Sequence, residues 1–222
     1  MRVAVVIPAL NEEKSLPHVI SSIPAGVRVV VVDNGSSDGT GRVAGAEVVF
    51  EGRRGYGSAV KAGFRYLASD PPDIVVVMDA DLADDPHRME ELISPIRHGR
   101  ADLVLADRTG LAEKGALQPA QRFGNALAVR LIHWTSGHRY RDMGPFRAIR
   151  WSSLQTLAME DPTWGWNVEM QLKAANRGLR ILEVPLPYRA RVAGTSKISG
   201  NLLGAAKAGA RILWAVNHYR HK

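Results

Sequence analysis

Four short apolar runs, rich in β-branched residues and each closed by a charged or cyclic residue, constrain this chain more than any other feature. Residues 3–7 run into Pro8, 27–32 into Asp33, 74–78 into Asp79, and 103–106 into Asp107-Arg108. Runs of this length without polar alternation read as strands buried on both faces. Helical patterning lies between them. Asn11 is placed to cap a helix whose first turn holds Glu12 and Glu13, as the helix dipole favours. Gly55-Tyr56-Gly57-Ser58 opens a helix through Lys61 and Phe64 to Leu67, after a short strand near residues 48–50. Strands alternating with helices predict an α/β domain with a largely parallel sheet.

The second half has a different rhythm. Helices are expected over 121–134, 166–177 (stopped at Gly178) and 201–218, with a turn at Gly144-Pro145 and a strand over 181–184 ended by Pro185. With 222 residues and no linker or internal repeat, one domain is expected. The net charge of +7 favours anionic partners. Its cations are scattered, which directs the reading to phosphorylated small molecules or an anionic membrane and not to nucleic acid. The absence of cysteine removes disulfides, thiolate nucleophiles and thiolate zinc sites, and His87, His98 and His133 form no ligand pattern. No stretch reaches the roughly 18 apolar residues of a transmembrane helix, and the first apolar run is too short for a signal peptide. The expected location is cytoplasmic, or peripheral at the inner face of the membrane. The final helix sets Leu202, Leu203, Ala206, Ala210, Leu213 and Trp214 on one face, with Lys207 and Arg211 beside it. That face suits either a membrane surface or its own domain.

In a parallel sheet, ligands bind beyond the carboxyl ends of the strands. Those ends carry Pro8 to Glu12, Asp33, Asp79-Ala80-Asp81 and Arg108. Two carboxylates around one small residue, directly after a buried strand, suit Mg²⁺ or Mn²⁺ bridging to a diphosphate; a solvated turn is the alternative. Asp33 can bind a base or ribose, or shape an Asx turn with Asp38. Gly55-Tyr56-Gly57 behind Arg53-Arg54 offers a helix N-terminus to an anion, or is a plain turn. Glu169, near Trp164 and Trp166, is placed to be a desolvated general base, with a surface or core role as the alternative. Arg189, Arg191 and Lys197 flank Gly194-Thr195-Ser196, a segment able to close over a diphosphate or to serve as an ordinary basic loop.

Taken in order, Val-Val-Ile-Pro-Ala-Leu-Asn-Glu-Glu (5–13), Val-Val-Asp-Asn-Gly-Ser-Ser-Asp-Gly-Thr (31–40), Gly-Tyr-Gly-Ser-Ala (55–59) and Asp-Ala-Asp-Leu (79–82) resemble family 2 of the inverting glycosyltransferases. Arg122-Phe123-Gly124-Asn125, Asp142-Met143-Gly144-Pro145-Phe146-Arg147, Glu183-Val184-Pro185 and the segment 188–197 are similar to its polyprenyl-phosphate or dolichyl-phosphate hexose synthase branch. The resemblance implies the GT-A fold, a Rossmann-like single domain. Residues 1–110 would form a nucleotide-sugar half, 111–200 an acceptor half and 201–222 the amphipathic helix.

The resemblance also implies hexose transfer, with inversion, from UDP- or GDP-hexose to an acceptor such as a polyprenyl phosphate. Pro8, Asn11, Glu12 and Asp33 would hold the nucleoside, with Gly57, Asp79 and Ala80 near the sugar and diphosphate. Asp81, with Asp79, would bind Mg²⁺ or Mn²⁺. Arg108, Arg122, Arg191 and Lys197 would face phosphates, and Glu169 sits where relatives carry an acidic base candidate. Two positions depart from the branch: Leu10 replaces a frequent tyrosine, and Ala83 a frequent glutamine that ligates metal. Some relatives carry a transmembrane extension with no counterpart in these residues. The rival readings are a sugar nucleotidyltransferase, which expects a glycine-rich, lysine-bearing loop after the first strand, and a non-catalytic nucleotide-sugar-binding module.

Overall fold

The computed structural model describes residues 1–190 and 202–220, with backbone alone over 202–208. The order is β1 (Val3–Ala9), α1 (Leu16–Ser21), β2 (Val27–Asp33), β3 (Glu47–Phe50), α2 (Tyr56–Leu67), β4 (Ile74–Val77), α3 (Met89–Arg97), β5 (Leu103–Asp107) and α4 (Pro119–Ser136). There follow β6 (Arg147–Arg150), α5 (Trp151–Leu157), α6 (Gly165–Asn176), β7 (Ile181–Pro185) and α7 (Leu202–Tyr219). The strands form one seven-stranded sheet in the order β3-β2-β1-β4-β6-β5-β7. β6 runs antiparallel to both of its neighbours and every other pairing is parallel. The expected α/β class is therefore present, with one reversed strand inside it.

The central strands are buried because their side chains meet apolar cover on both faces. Val6, Val32, Val75 and Val77 face a core completed by Phe64, Leu67, Trp166 and Leu172. Val5, Ile7, Val31 and Val76 face a second core with Leu16, Met89, Leu92 and Ile96. Each such side chain contributes on the order of 1.5–3 kcal/mol when fully buried. The parallel strands β1, β2 and β4 thus bring Pro8, Asp33 and Asp79 to one edge.

The first helix departs from expectation. α1 begins at Leu16, after Ser15, with Pro17 in its first turn. Asn11 instead takes φ 55° and is exposed. Its backbone N–H donates to Ser36 Oγ (2.9 Å), and its Oδ1 accepts from Ser37 N (2.8 Å). Asn11 therefore ties the β1 loop to the β2 loop and caps no helix, and Glu12 and Glu13 lie in the connecting turn.

β6 had no hydrophobic signature to announce it. Its Arg147 is fully buried, with the guanidinium donating to the carbonyls of Gly144 and Pro145 and lying 5.6 Å from the centre of the Trp166 ring. These partners offset the cost of burying the charge.

Candidate active site

At the carboxyl edge of β1, β2 and β4 lies a cleft of about 400 Å³. Its walls include Pro8, Ala9, Leu10 and Glu12 after β1, Asn34 after β2, and Asp79, Ala80 and Asp81 after β4. Arg54, Gly55, Tyr56, Thr163 and Trp164 close the far side. Glu12 is set by Thr40, whose Oγ1 accepts from its backbone N–H (2.8 Å), and by Ser15, whose Oγ donates to its Oε2 (2.8 Å). Asp33 stands just behind the rim: its Oδ1 accepts from Ser36 N (2.8 Å), and a Cβ on Gly41 would stand 2.7 Å from its Oδ2. Asn34, which the sequence did not single out, clamps the opposite wall. It donates to the carbonyls of Glu51 (2.8 Å) and Arg53 (2.9 Å) and accepts from Gly55 N (2.8 Å).

A second cleft, of about 280 Å³, shares Tyr56, Asp79 and Trp164 with the first. Its wall is mostly apolar, from Phe123, Leu127 and Ala128 of α4, Met143, Val168 and Ile212. Arg108 lies in this cleft. Its guanidinium grips Asp142 through Nε (2.7 Å) and Nη2 (2.9 Å), and is centred 4.9 Å from the Tyr188 ring. Burial pushes the Asp142 carboxyl up, but the hydrogen bonds and charge of Arg108 outweigh it and hold the group below its ordinary value.

Several expected residues stand elsewhere. Gly57 does not offer its amide to an anion: Gly57 N donates to Thr163 O (3.2 Å) and Ser58 N to Pro162 O (2.9 Å), so the α2 N-terminus is already capped. A Cβ at Gly57 would run into the carbonyl of Asp161, and one at Gly55, where φ is +137°, into that of Pro162. The glycines serve close packing of the 160–164 loop. Glu169, expected as a general base, is turned into the protein interior. It is fully buried, with its oxygens accepting from Glu160 N (2.7 Å), Asp161 N (2.7 Å) and Lys173 Nζ (2.7 Å). It lines neither cleft. Arg122 is exposed and outside both linings, with its Nε donating to Leu117 O (3.3 Å). Arg191 and Lys197 lie outside the described residues.

Asp81 is 2% exposed, with its Oδ1 accepting from Ala83 N (3.0 Å), and Asp79 is half-buried at the junction of the clefts. Behind them is Asp84, which the sequence reading missed. It is 2% exposed and neither oxygen has a hydrogen-bond partner among the described residues. Burial pushes its carboxyl well up, against the pull of Arg108, with Asp79 and Asp81 adding to the rise. Its only signal in the sequence was a third carboxylate shortly after the pair. Among the described residues no three His, Cys, Asp or Glu side chains form a ready cage. Two hard oxygen ligands in a wall carrying excess negative charge nevertheless fit Mg²⁺ or Mn²⁺ completed by oxygens of a bound diphosphate.

An open, mostly parallel sheet with an acidic pair at its switch edge and a second cleft beside it is the architecture of the GT-A glycosyltransferases. The chain belongs to this class by descent as well: the model of glycosyl transferase family 2 matches residues 4–157. An uncharacterized glycosyltransferase of Mycobacterium tuberculosis is 42% identical over 91% of this chain and 92% of its own length. An undecaprenyl-phosphate mannosyltransferase of Micrococcus luteus is 32% identical over 93% and 91%, and a dolichyl-phosphate hexose transferase of Haloferax volcanii 34% over 91% and 89%. These relatives put the chain in the polyprenyl-phosphate hexose synthase branch of the family. Among solved structures, glucosyl-3-phosphoglycerate synthase of M. tuberculosis, in complex with Mn²⁺, UDP-glucose and glycerol 3-phosphate, superposes with a TM-score of 0.74 at 25% identity. The match covers 97% of this chain and 80% of that one. The chain is thus a glycosyltransferase, which sets aside the nucleotidyltransferase reading.

Proposed function

We propose that the protein transfers a hexose, with inversion, from a UDP- or GDP-hexose to a polyprenyl-type lipid phosphate. The observation that carries this reading is the junction of two unlike clefts at Tyr56, Asp79 and Trp164, one bordered by carboxylates and one by apolar side chains around Arg108. The nucleoside lies against Pro8 and Glu12, with Asp33 behind the rim, and Asp79, Ala80 and Asp81 face the sugar and diphosphate. The names of the Micrococcus and Haloferax relatives support the lipid phosphate, and the UDP-glucose and Mn²⁺ of the solved neighbour support the donor and the metal. The division follows the chain in outline: residues 1–110 supply most of the donor cleft and 111–200 most of the acceptor cleft, with the 160–164 loop crossing between them.

In the reaction, an oxygen of the acceptor phosphate attacks the anomeric carbon from the face opposite the leaving group. The carbon–oxygen bond to the nucleoside diphosphate breaks and the diphosphate departs with the electron pair. The acceptor is already an anion, so no general base is required, in keeping with the buried position of Glu169. Asp81 and Asp79 would hold the divalent cation, which when bound neutralises charge developing on the diphosphate. Arg108, kept rigid by Asp142, presents positive charge to the acceptor phosphate. Arg191 and Lys197 have the same task towards phosphate by resemblance.

The test is incubation with UDP- or GDP-linked radiolabelled hexoses and polyprenyl phosphate dispersed in detergent, with Mn²⁺, with Mg²⁺ and with chelator. Metal-dependent appearance of label in the organic phase is expected. Donor binding without transfer to any acceptor would make the chain a non-catalytic nucleotide-sugar module.

A further inference from the structure

We propose that Arg147 is a positioning residue for the acceptor phosphate, a buried guanidinium without a counter-ion that sets a positive potential behind the wall of the second cleft. The inference rests on the reading of that cleft as the seat of a phosphate. Arg147 is fully buried at the start of β6. Its Nε donates to Pro145 O (3.3 Å) and its Nη2 to Gly144 O. Its Nη1 lies 3.5 Å from Met170 Sδ, and the Trp166 ring centre is 5.6 Å from the guanidinium. All of these partners are neutral, and Arg147 has no ion pair among the described residues. Asp142 acts on it only from a distance, since both Asp142 oxygens are taken by Arg108. Glu183 turns instead to the backbone N–H groups of Arg141 (2.8 Å) and Asp142 (3.0 Å). Burial pushes the Arg147 pKa down to about 10, which leaves it charged at neutral pH.

Carbonyl dipoles orient such a charge but do not cancel it. A buried cation without a counter-charge costs stability, and proteins accept that cost chiefly at functional sites. The position of Arg147 says which site. Met143 and Pro145 line the second cleft, and Arg147 holds the Gly144-Pro145 turn from behind. On its other side lies Trp166, which meets the Tyr56 ring edge-on at 6.0 Å, and Tyr56 lines both clefts. The phenols of Tyr56 and Tyr140 do not offset the charge, because burial holds both well up and therefore neutral. A mostly apolar wall screens a charge far less than water does. Arg108 meets the phosphate inside the cleft with Asp142 at its back, and the phosphate in turn supplies the negative charge that Arg147 lacks.

Titration calorimetry on the full chain, without donor or metal, compares geranyl phosphate, geraniol and inorganic phosphate. Arg147→Gln removes the charge and keeps a donor for the turn. Its Kd for geranyl phosphate should rise on the order of tenfold, the effect of one unit charge across a poorly screened wall, with the Kd for geraniol unchanged. Arg147→Lys keeps the charge and should bind geranyl phosphate within about twofold of wild type. Arg147→Met serves as the neutral variant if Arg147→Gln does not fold. Equal affinity for geranyl phosphate in wild-type and neutral proteins overturns the proposal. So does a loss shared by Arg147→Lys, a loss that extends to geraniol, or failure of both neutral variants to fold, since each makes Arg147 a staple of the Gly144-Pro145 turn. If the wild-type protein binds no geranyl phosphate, the lipid-phosphate reading fails by itself. Inorganic phosphate then decides the role of Arg147: weaker binding in the neutral variant alone upholds it, and no binding or no change sinks it.

Discussion

Glu169 divides its two oxygens among three donors, the backbone N–H groups of Glu160 and Asp161 and the ammonium of Lys173. Lys173 is itself 1% exposed. Glu169→Gln would leave that cation buried without its counter-charge and turn one acceptor into a donor facing an N–H. Breaking a buried pair from one side costs about 3–5 kcal/mol, so a marked fall in Tm is expected by calorimetry. The double variant Glu169→Gln, Lys173→Met should recover part of it. Unchanged stability with abolished transfer would return Glu169 to the chemistry. Tyr56 presents the opposite case. Its hydroxyl is buried at the junction of the clefts and has no partner among the described residues. Burial and the neighbouring Asp79 push its pKa well up, so it is a donor at any working pH. Tyr56→Phe keeps the edge-to-face contact with Trp166 and loses only the donor. Tm should hold, while kcat/KM falls about 10- to 100-fold if the hydroxyl serves a phosphate oxygen.

At the scale of elements, the pairing of β5 with β7 carries its own pH dependence. Arg180, just before β7, grips Asp102, just before β5, through Nε (2.9 Å) and Nη2 (2.7 Å). Those bonds outweigh burial and hold the Asp102 carboxyl at about 2. A carboxyl held below its unfolded value of about 3.9 stabilises the fold fully above that pH. The contribution is lost as pH falls from about 4 through about 2. Asp102→Asn should therefore lower Tm at neutral pH and flatten the acid limb of a Tm–pH curve in that window; parallel curves would refute the linkage. The strands β1, β4 and β5 were legible because burial on both faces leaves an unbroken apolar run, and β2 because only Arg28 interrupts its valines. α2 was legible because Gly55 and the apolar spacing to Leu67 mark its span. β6 was not, since a four-residue strand flanked by two arginines reads as loop until Trp166 and two carbonyls are seen to receive Arg147. The acidic pair was legible by its place after β4. Asp84, Asn34 and the 160–164 loop were not, because their importance lies in what folds against them from distant sequence. The anchoring of Glu169 was hidden for the same reason: nearby tryptophans suggest a desolvated carboxylate, whereas two of the three groups that hold it are backbone amides of the preceding loop.

At the scale of the whole molecule, that loop is the point where the two halves of the chain meet. Thr163 and Trp164 line the donor cleft, yet the loop belongs to the second half and is held from three sides. α2 holds it through Gly57, Ser58 and Lys61, α6 through Glu169, and α7 through Arg211, whose Nη2 donates to Asp161 Oδ2 at 2.5 Å. Asp161 is fully buried and turns its other oxygen to Thr163 N (2.7 Å) and Thr163 Oγ1 (2.8 Å). A displacement of α7 is thus passed through one carboxylate to a wall of the donor cleft. Arg211 lines only the acceptor cleft of the two, which makes the coupling testable. Arg211→Met should raise the Kd for the nucleoside diphosphate on the order of tenfold, within what a misplaced positioning group costs, although the residue is not part of that cleft. Arg211→Lys, which can still reach Asp161 as a point charge, should recover part of the affinity. Titration calorimetry with UDP or GDP and Mn²⁺, in the absence of acceptor, reads the effect directly. An affinity unchanged in Arg211→Met would mean that α7 and the donor cleft are independent, and that the Asp161 contact only secures the loop.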